Sequence, residues 1–323
     1  MTRVLLTGLF AVALLFGWSE LMHPKAITAE SPAKAGTMLE MTFFEFEAAV
    51  KTTDVMLLPI GAIEEHGSSL PLVTDAIIAT GQFVKVQRYL RARGVETIVG
   101  PALNIGLTNN GGDFTRNGTY VYPGSLTVRA DTFVALYIDT LRALRDNGLR
   151  RIFLFSGHGG ATQQRAVAQI AAQASQSIEG LSVYALASSE NVERVGIKRA
   201  PSLVVLENYR NFELQGRLLG NGIEPPTSTH ADGAEISLML FFRPDMVRRG
   251  YQKLPQTPSS IFFAAAQAGD RAANPGGTGG FPSRNASAKV GKAILQHRTA
   301  LIGRAIEDVL ARGVSRNPVA SSK

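Results

Sequence analysis

No cysteine occurs anywhere in the 323 residues. Disulfides, thiolate metal ligands and cysteine nucleophiles are thereby excluded, and the absence is compatible with an oxidising compartment without identifying one. Tryptophan occurs once, as Trp18, and histidine five times. Acidic residues are outnumbered by basic ones, 26 against 33, for a formal net charge of +7. That excess is spread through arginine-bearing helical stretches and the C-terminal tail, with no dense basic block and no interleaved aromatics, so the footprint expected of a nucleic-acid binder is missing. Internal repeats, coiled-coil heptads and a second transmembrane-like segment are also absent. With 45% hydrophobic residues, the chain can still bury a large core in one big domain or two small ones.

One apolar run stands apart, at the start of the chain. Arg3 precedes apolar and small residues from Val4 to Gly17, a stretch too short to span a bilayer comfortably but typical of a secretory h-region. Ile27-Thr28-Ala29 places small residues before a cleavage point at Glu30, and Ala33-Lys34-Ala35 offers a second. The expectation is a signal peptide over 1–29, removed on export, with the periplasm as destination if the source is a Gram-negative bacterium. A retained N-terminal anchor is the alternative. A single large domain over 37–312 and a flexible basic tail over 313–323 complete the expected organisation.

Beyond the leader, apolar runs alternate with longer amphipathic stretches. Val55 to Leu58, Thr97 to Val99, Arg151 to Phe155 and Leu181 to Ala187 read as strands; Ala76 to Arg93, Ala130 to Asp146, Thr162 to Ser177 and Ala288 to Ala311 read as helices. Phe133, Leu136, Tyr137, Leu141 and Leu144 carry the helical spacing of the second of these helices. The alternation predicts an α/β fold, a mostly parallel sheet with helices on both faces. Thr108 to Arg116, polar and rich in Gly and Asn, is expected to form a loop over the site. Asn274 to Gly280 reads on composition alone as a linker.

What the chain does possess is a block from Pro59 to Asp75 that places Glu64, His66 and Asp75 in a loop punctuated by Gly and Pro, just after a strand. Glu64 and His66 are two apart, so an extended backbone sends both side chains to one face. Such oxygen and nitrogen donors suit a borderline divalent metal. An isolated Glu-x-His is more often a solvated loop, because short motifs match by accident. Two further histidines change that weighting. His158, in Ser156-Gly157-His158-Gly159-Gly160, and His230, in His230-Ala231-Asp232-Gly233-Ala234-Glu235, also lie in glycine-containing turns beside apolar runs, where backbone can approach a ligand closely. His297, on a polar helical stretch, reads as an ordinary surface residue. Both principal motifs fall at the carboxyl ends of expected strands, where open α/β sheets place ligands.

These blocks resemble those of the creatininase, or creatinine amidohydrolase, family of metal-dependent amide hydrolases. Family members carry a block close to P-x-G-S-x-E-Q-H-G-P-H-L-P-L-x-T-D, then N-G-H-G-G-N, then H-A-G-x-x-E-T-S. Here the three read from Pro59 to Asp75, Ser156 to Ala161 and His230 to Ser237. Tyr122-Pro123-Gly124-Ser125 matches a family F-P-G-T more weakly, and Gly279-Gly280-Phe281-Pro282 resembles the C-terminal G-x-x-G-x-P region. The resemblance implies a three-layer architecture and two divalent ions per chain, zinc paired with zinc, manganese or iron. It assigns Glu64 and His66 to separate ions and Asp75 to a bridge between them, with His158 completing one ion's coordination. Some members carry a metal-binding Glu where this chain has Gly160, so Glu235 is the expected carboxylate for the other ion.

The activity so implied is hydrolysis of a small cyclic amide or related C–N bond by a metal-activated water, with His230 transferring protons or, alternatively, only orienting a ligand. Gly124, Ser125, Gly159 and Gly160 are the expected substrate-binding residues. The expected partners are a small-molecule amide and further copies of the chain, in a homo-oligomer such as a hexamer. Departures from the family pattern argue for a substrate other than creatinine. Ser68 and Ser69 replace its Pro and second His, Ser156 and Ala161 its two Asn, Ile236 its Thr, and Glu65 its usual Gln. Creatininase surrounds its substrate with tryptophans, whereas Trp18 lies in the leader. Two other readings stay open: a non-catalytic exported binding protein of the same fold, and a metal hydrolase of an ester or phosphate.

Overall fold

The computed structural model describes residues 37–108, 115–116, 119–120, 122–221 and 229–314. The expected leader, residues 109–114 of the expected loop, and 315–323 of the tail lie outside them. Helix α1 (Phe43–Val50) starts at Thr42, whose hydroxyl and Glu45 form a reciprocal capping box. Strand β1 (Val55–Ile60) leads to helix α2 (Thr74–Arg91) and strand β2 (Ile98–Val99). A two-residue antiparallel ladder joins β3 (Thr115–Arg116) to β4 (Thr119–Tyr120). Then come α3 (Ala130–Asp146), β5 (Arg151–Ser156), α4 (Ala161–Ser177), β6 (Ser182–Ser188), α5 (Ser189–Val195) and β7 (Leu203–Leu206). Helices α6 (Phe212–Leu219), α7 (Gly233–Phe242), α8 (Ser259–Ala268) and α9 (Ala288–Val314) complete the order.

Five strands form one parallel sheet in the order β2-β1-β5-β6-β7. Every residue of β1 is buried, as a continuous apolar run must be in a sheet covered on both sides. Its side chains alternate between two cores. Met56, Leu58 and Ile60 meet Phe133, Tyr137 and Leu141 of α3 and Val167 and Ile170 of α4. Val55 and Leu57 meet Phe83, Val86 and Leu90 of α2 and Ile302 and Ile306 of α9. The result is the three-layer α/β architecture expected from the sequence.

Three boundaries differ from expectation in ways that matter. Helix α2 begins at Thr74, so Asp75 lies in its first turn, where a negative side chain is favoured by the helix dipole. Strand β7 was not read, because a four-residue run carries too little pattern to separate from a loop. Helix α7 was not read either, because Ile236, Leu238 and Met239 are all buried and no polar face sets a period. It packs between α2 and α9 in a third apolar cluster with Ile78, Val290 and Ile294.

The α7–α9 crossing depends on Gly291. A Cβ built there would lie 2.0 Å from the Ser237 carbonyl oxygen, so any side chain must push two helix backbones apart. Gly291→Ala should therefore destabilise the protein by about 1–3 kcal/mol, the usual cost of overpacking, measured by denaturant unfolding. An unchanged midpoint would mean that the crossing relaxes freely.

Candidate functional site

Strands β1 and β5 are neighbours in register, Val55 opposite Arg151 and Ile60 opposite Ser156. Their carboxyl ends therefore release two loops side by side, at the point where the strand order runs outward in both directions and where open sheets bind ligands. The loop after β1 carries Glu64, Glu65 and His66 and delivers Asp75; the loop after β5 carries His158. The two touch at Gly157, where a Cβ would lie 2.2 Å from the Asp75 carbonyl oxygen. Only glycine permits that approach.

The third contribution comes from the N-terminal end of α7. Asp232 caps this helix through the Ala234 and Glu235 amides, and Glu235 Oε2 accepts from the Ala231 amide at 2.7 Å. Ala231 adopts a left-handed conformation, φ 49°, which sets His230 and Glu235 on either side of one tight bend. His230 pairs its backbone with Gly279 in both directions, at 2.8 and 2.9 Å. The Gly-rich segment that reads as a linker on composition thus packs against His230.

All five residues expected to hold metal converge. His158 Nδ1 lies 2.7 Å from Glu64 Oε2 and 3.6 Å from Asp75 Oδ2. His66 Nε2 lies 3.5 Å from Asp75 Oδ1 and 3.8 Å from Glu235 Oε2. Donor atoms of Glu64, Asp75 and His158 fall within 4.8 Å of one another, as do those of His66, Asp75 and Glu235, and those of Glu64, His66 and His230. Asp75 belongs to the first two groups, with one oxygen toward each imidazole.

The electrostatics follow from packing several carboxylates out of water. Burial alone would raise the Asp75 carboxyl, but the nearby charges of His66 and His158 take it well below the usual carboxylate range. The converse holds for the rings. Burial disfavours the charged His158, yet Glu64 and Asp75 push it up to about 10, and Asp75, Glu235 and Glu64 likewise raise His66. The cluster therefore demands positive charge.

His230 stands beside this cluster. Its Nε2 is 3.0 Å from Glu65 Oε1, its ring stacks on Phe262 at 4.6 Å, and it lies 4.8 Å from the His66 ring. Burial opposes its protonation, but Glu65 and Glu64 push it up to about 9. Glu65 is held from both ends: its amide donates to Ser125 Oγ at 2.9 Å, and its Oε2 accepts from the Gly67 amide at 3.1 Å. Of the expected substrate-binding residues, Gly159 and Gly160 line the cleft. Gly124 and Ser125 do not belong to that lining: Gly124 faces Leu72 and Ser125 supports Glu65 from behind.

The cleft, about 510 Å³ with its open mouth, has the size of a small-molecule site. Phe262, Phe263, Arg194, Arg210 and Thr229 also line it, and none was singled out from sequence. No short motif marks them; the arginines read there as ordinary helix and loop charges. Among the described residues, no helix is long and apolar enough to cross a membrane.

Residues 39–306 match the creatininase family, described as creatinine amidohydrolase. Creatinine amidohydrolase of Pseudomonas putida is 30% identical over 120 residues, a match spanning 37% of this chain and 43% of that relative. The chain thus covers less than half of the curated relative's length. Two solved structures have the same fold: a manganese form of creatininase with a TM-score of 0.62, and a zinc–zinc form of a creatininase variant with a TM-score of 0.61. Each is 24% identical, over 85% of this chain and 98% of the other.

Proposed function

Because the chain belongs to the creatininase family, we propose that it is a metal-dependent amidohydrolase acting on a small cyclic amide or related non-peptide C–N bond. The observation that carries this reading is the position of Asp75, buried between two imidazoles with a different oxygen toward each. The donor set fits a pair of divalent ions. Asp75 Oδ2 and His158 Nε2 are buried without a hydrogen-bond partner among the described residues, and buried carboxylates with imidazoles suit zinc, manganese or iron. Glu64, Asp75 and His158 would hold one ion, and His66, Asp75 and Glu235 the other. The manganese and zinc forms of creatininase support the same choice of metals. Bound there, the ions would polarise the amide carbonyl and lower the pKa of water in the cleft.

The protein's own residues then manage the protons. Hydrolysis joins a water oxygen to the amide carbon and breaks the C–N bond, and the leaving nitrogen needs a proton as it departs. His230 is suited to deliver it, because Glu65 at 3.0 Å favours the protonated ring. Phe262, stacked on that ring, holds its plane and keeps water from one face. The test is a screen of cyclic amides, N-formyl compounds, esters and phosphate esters with metal-loaded protein. Amide turnover that chelation abolishes and zinc or manganese restores is the expected result. A fully loaded protein that cleaves only esters or phosphates would refute the assignment.

Export and assembly belong to the same proposal. Arg3 and the Val4 to Gly17 run support secretion to the periplasm of a Gram-negative source, so the mature protein from its native host should begin near Glu30 or Gly36. N-terminal sequencing that returns Met1 from a soluble cytoplasmic fraction would overturn this. Leu39, Phe43 and Phe44 are exposed by 73%, 72% and 45%. An apolar patch of this kind suits a subunit contact in a homo-oligomer such as a hexamer, which light scattering of the mature protein would measure.

A further inference from the structure

Next to the carboxylate and histidine cluster, the cleft changes character. Arg194 and Arg210 line it, and Arg210 also lines an adjoining recess with Arg298. Arg194 Nη2 donates to the Gly159 carbonyl at 2.6 Å and to Asn191 Oδ1 at 3.1 Å. Arg210 reaches the same Asn191 oxygen and Thr229 Oγ1, each at a long 3.3 Å. A Cβ on Gly159 would come within 3.2 Å of Arg210 Nη2, so both guanidiniums sit against the residue that follows His158. Arg298 lies over the Tyr209 ring, 4.7 Å from its centroid, and its Nε is buried without a hydrogen-bond partner among the described residues.

Each guanidinium offers five N–H donors, and the contacts above leave most of them unused. Among the described residues, Arg194, Arg210 and Arg298 form no ion pair. Arg194 and Arg210 donate instead to a neutral amide, a hydroxyl and a backbone carbonyl. Glu235 and Glu190 act on Arg210 through space without pairing with it, so most of its donors stay available to an incoming anion. A planar guanidinium edge matches a carboxylate in two parallel hydrogen bonds. Phe262 and Phe263, which also line the cleft, have nothing to offer an anion, so within that lining its hydrogen-bonding partners would be the two arginines.

We propose that the substrate of this site carries a carboxylate near the bond to be cleaved, bound by Arg210 with Arg194 at the mouth. The word "cleaved" rests on the amidohydrolase reading; the anion site does not. The substrate class becomes an N-acyl amino acid, or a cyclic amide bearing an acid group, in place of an uncharged amide.

A matched pair of probes tests this on zinc-loaded mature protein: N-acetylglycine and its neutral analogue N-acetylglycinamide, with binding followed by calorimetry and hydrolysis by amine release. The carboxylate should bind about tenfold to a hundredfold more tightly, the range for a charge-assisted contact. Arg210→Gln should bring that ratio toward one, and Arg210→Lys should restore part of it. Arg194→Gln, a change at an exposed side chain, should lower the same ratio if the Arg210 substitution proves insoluble. Equal affinity for the two probes, no binding of either, or a carboxylate preference that survives both glutamine substitutions, as metal coordination alone would give, overturns the proposal. A preference without amine release from any amide leaves the anion site standing and refutes hydrolysis. Equal turnover of both probes does the reverse.

Discussion

Asp75→Asn should strip the purified protein of both metal ions together. The carboxylate presents Oδ1 to His66 at 3.5 Å and Oδ2 to His158 at 3.6 Å. An amide in its place offers one uncharged oxygen and turns an NH₂ group toward the other position, so one proposed ion loses its Asp75 donor outright and the other loses the anionic charge that the pair would share. Elemental analysis of wild-type protein should give about two ions per chain, the stoichiometry of a two-metal hydrolase, and the variant should approach none. A ligand present at about a hundred times its Kd stabilises a fold by about 2.7 kcal/mol per site. Added zinc should therefore raise the unfolding temperature of the wild type, with little effect on Asp75→Asn, and amide turnover should fall to that of chelated protein. Retention of both ions would end the bridging assignment, and loss of one alone would reduce Asp75 to a ligand of a single ion.

The second large effect is expected at His230. His230→Ala should keep the metal content and lower kcat by about a hundredfold to ten-thousandfold, the range for a general acid–base group. Glu64, His66, Asp75, His158 and Glu235 supply the proposed coordination without it, and its Nε2 is engaged by Glu65. His230 nevertheless falls within donor range of Glu64 and His66, which makes metal content the deciding control. Loss of an ion in the variant would make His230 a ligand, and unchanged turnover would remove it from the reaction.

How much of this was legible in the sequence depended on how local the cause was. Helix α3 runs over the same residues, Ala130–Asp146, that the spacing of its apolar side chains indicates. Even there Leu136, counted among the spaced positions, is 43% exposed, because one-dimensional spacing marks a face without fixing its edges. Helix α7 left no period to read, since neighbours cover it on several sides. The cluster of Glu64, His66, Asp75 and His158 was legible because the first three share one short block and each strand hands its loop to the same end of the sheet. The Glu65–His230 contact joins residues 165 positions apart, and the convergence of Arg194 and Arg210 on Gly159 depends on the turn after β5. Neither leaves a local pattern; both are products of the topology.

The contact between Gly157 and the Asp75 carbonyl bears on how fast the site can exchange its contents. The loop after β1 is also tied by the Glu64 amide to the Leu72 carbonyl at 2.9 Å and by the Leu126 amide to the Ile63 carbonyl at 2.9 Å. Gly157 in turn donates to the Ile60 carbonyl at the end of β1 at 2.9 Å, and loops tied to a central strand open only with the large cooperative units of a fold. The amide hydrogens of Gly61, Glu64 and Gly157, each held in a backbone hydrogen bond, should thus be among the slowest to exchange with deuterium, close to those of β1 itself. An ion would then leave through rotation of Glu235 at the more exposed side of the cluster, where the side chain is 21% accessible against 3% for Asp75, and the ion nearer Glu235 should equilibrate with chelator first.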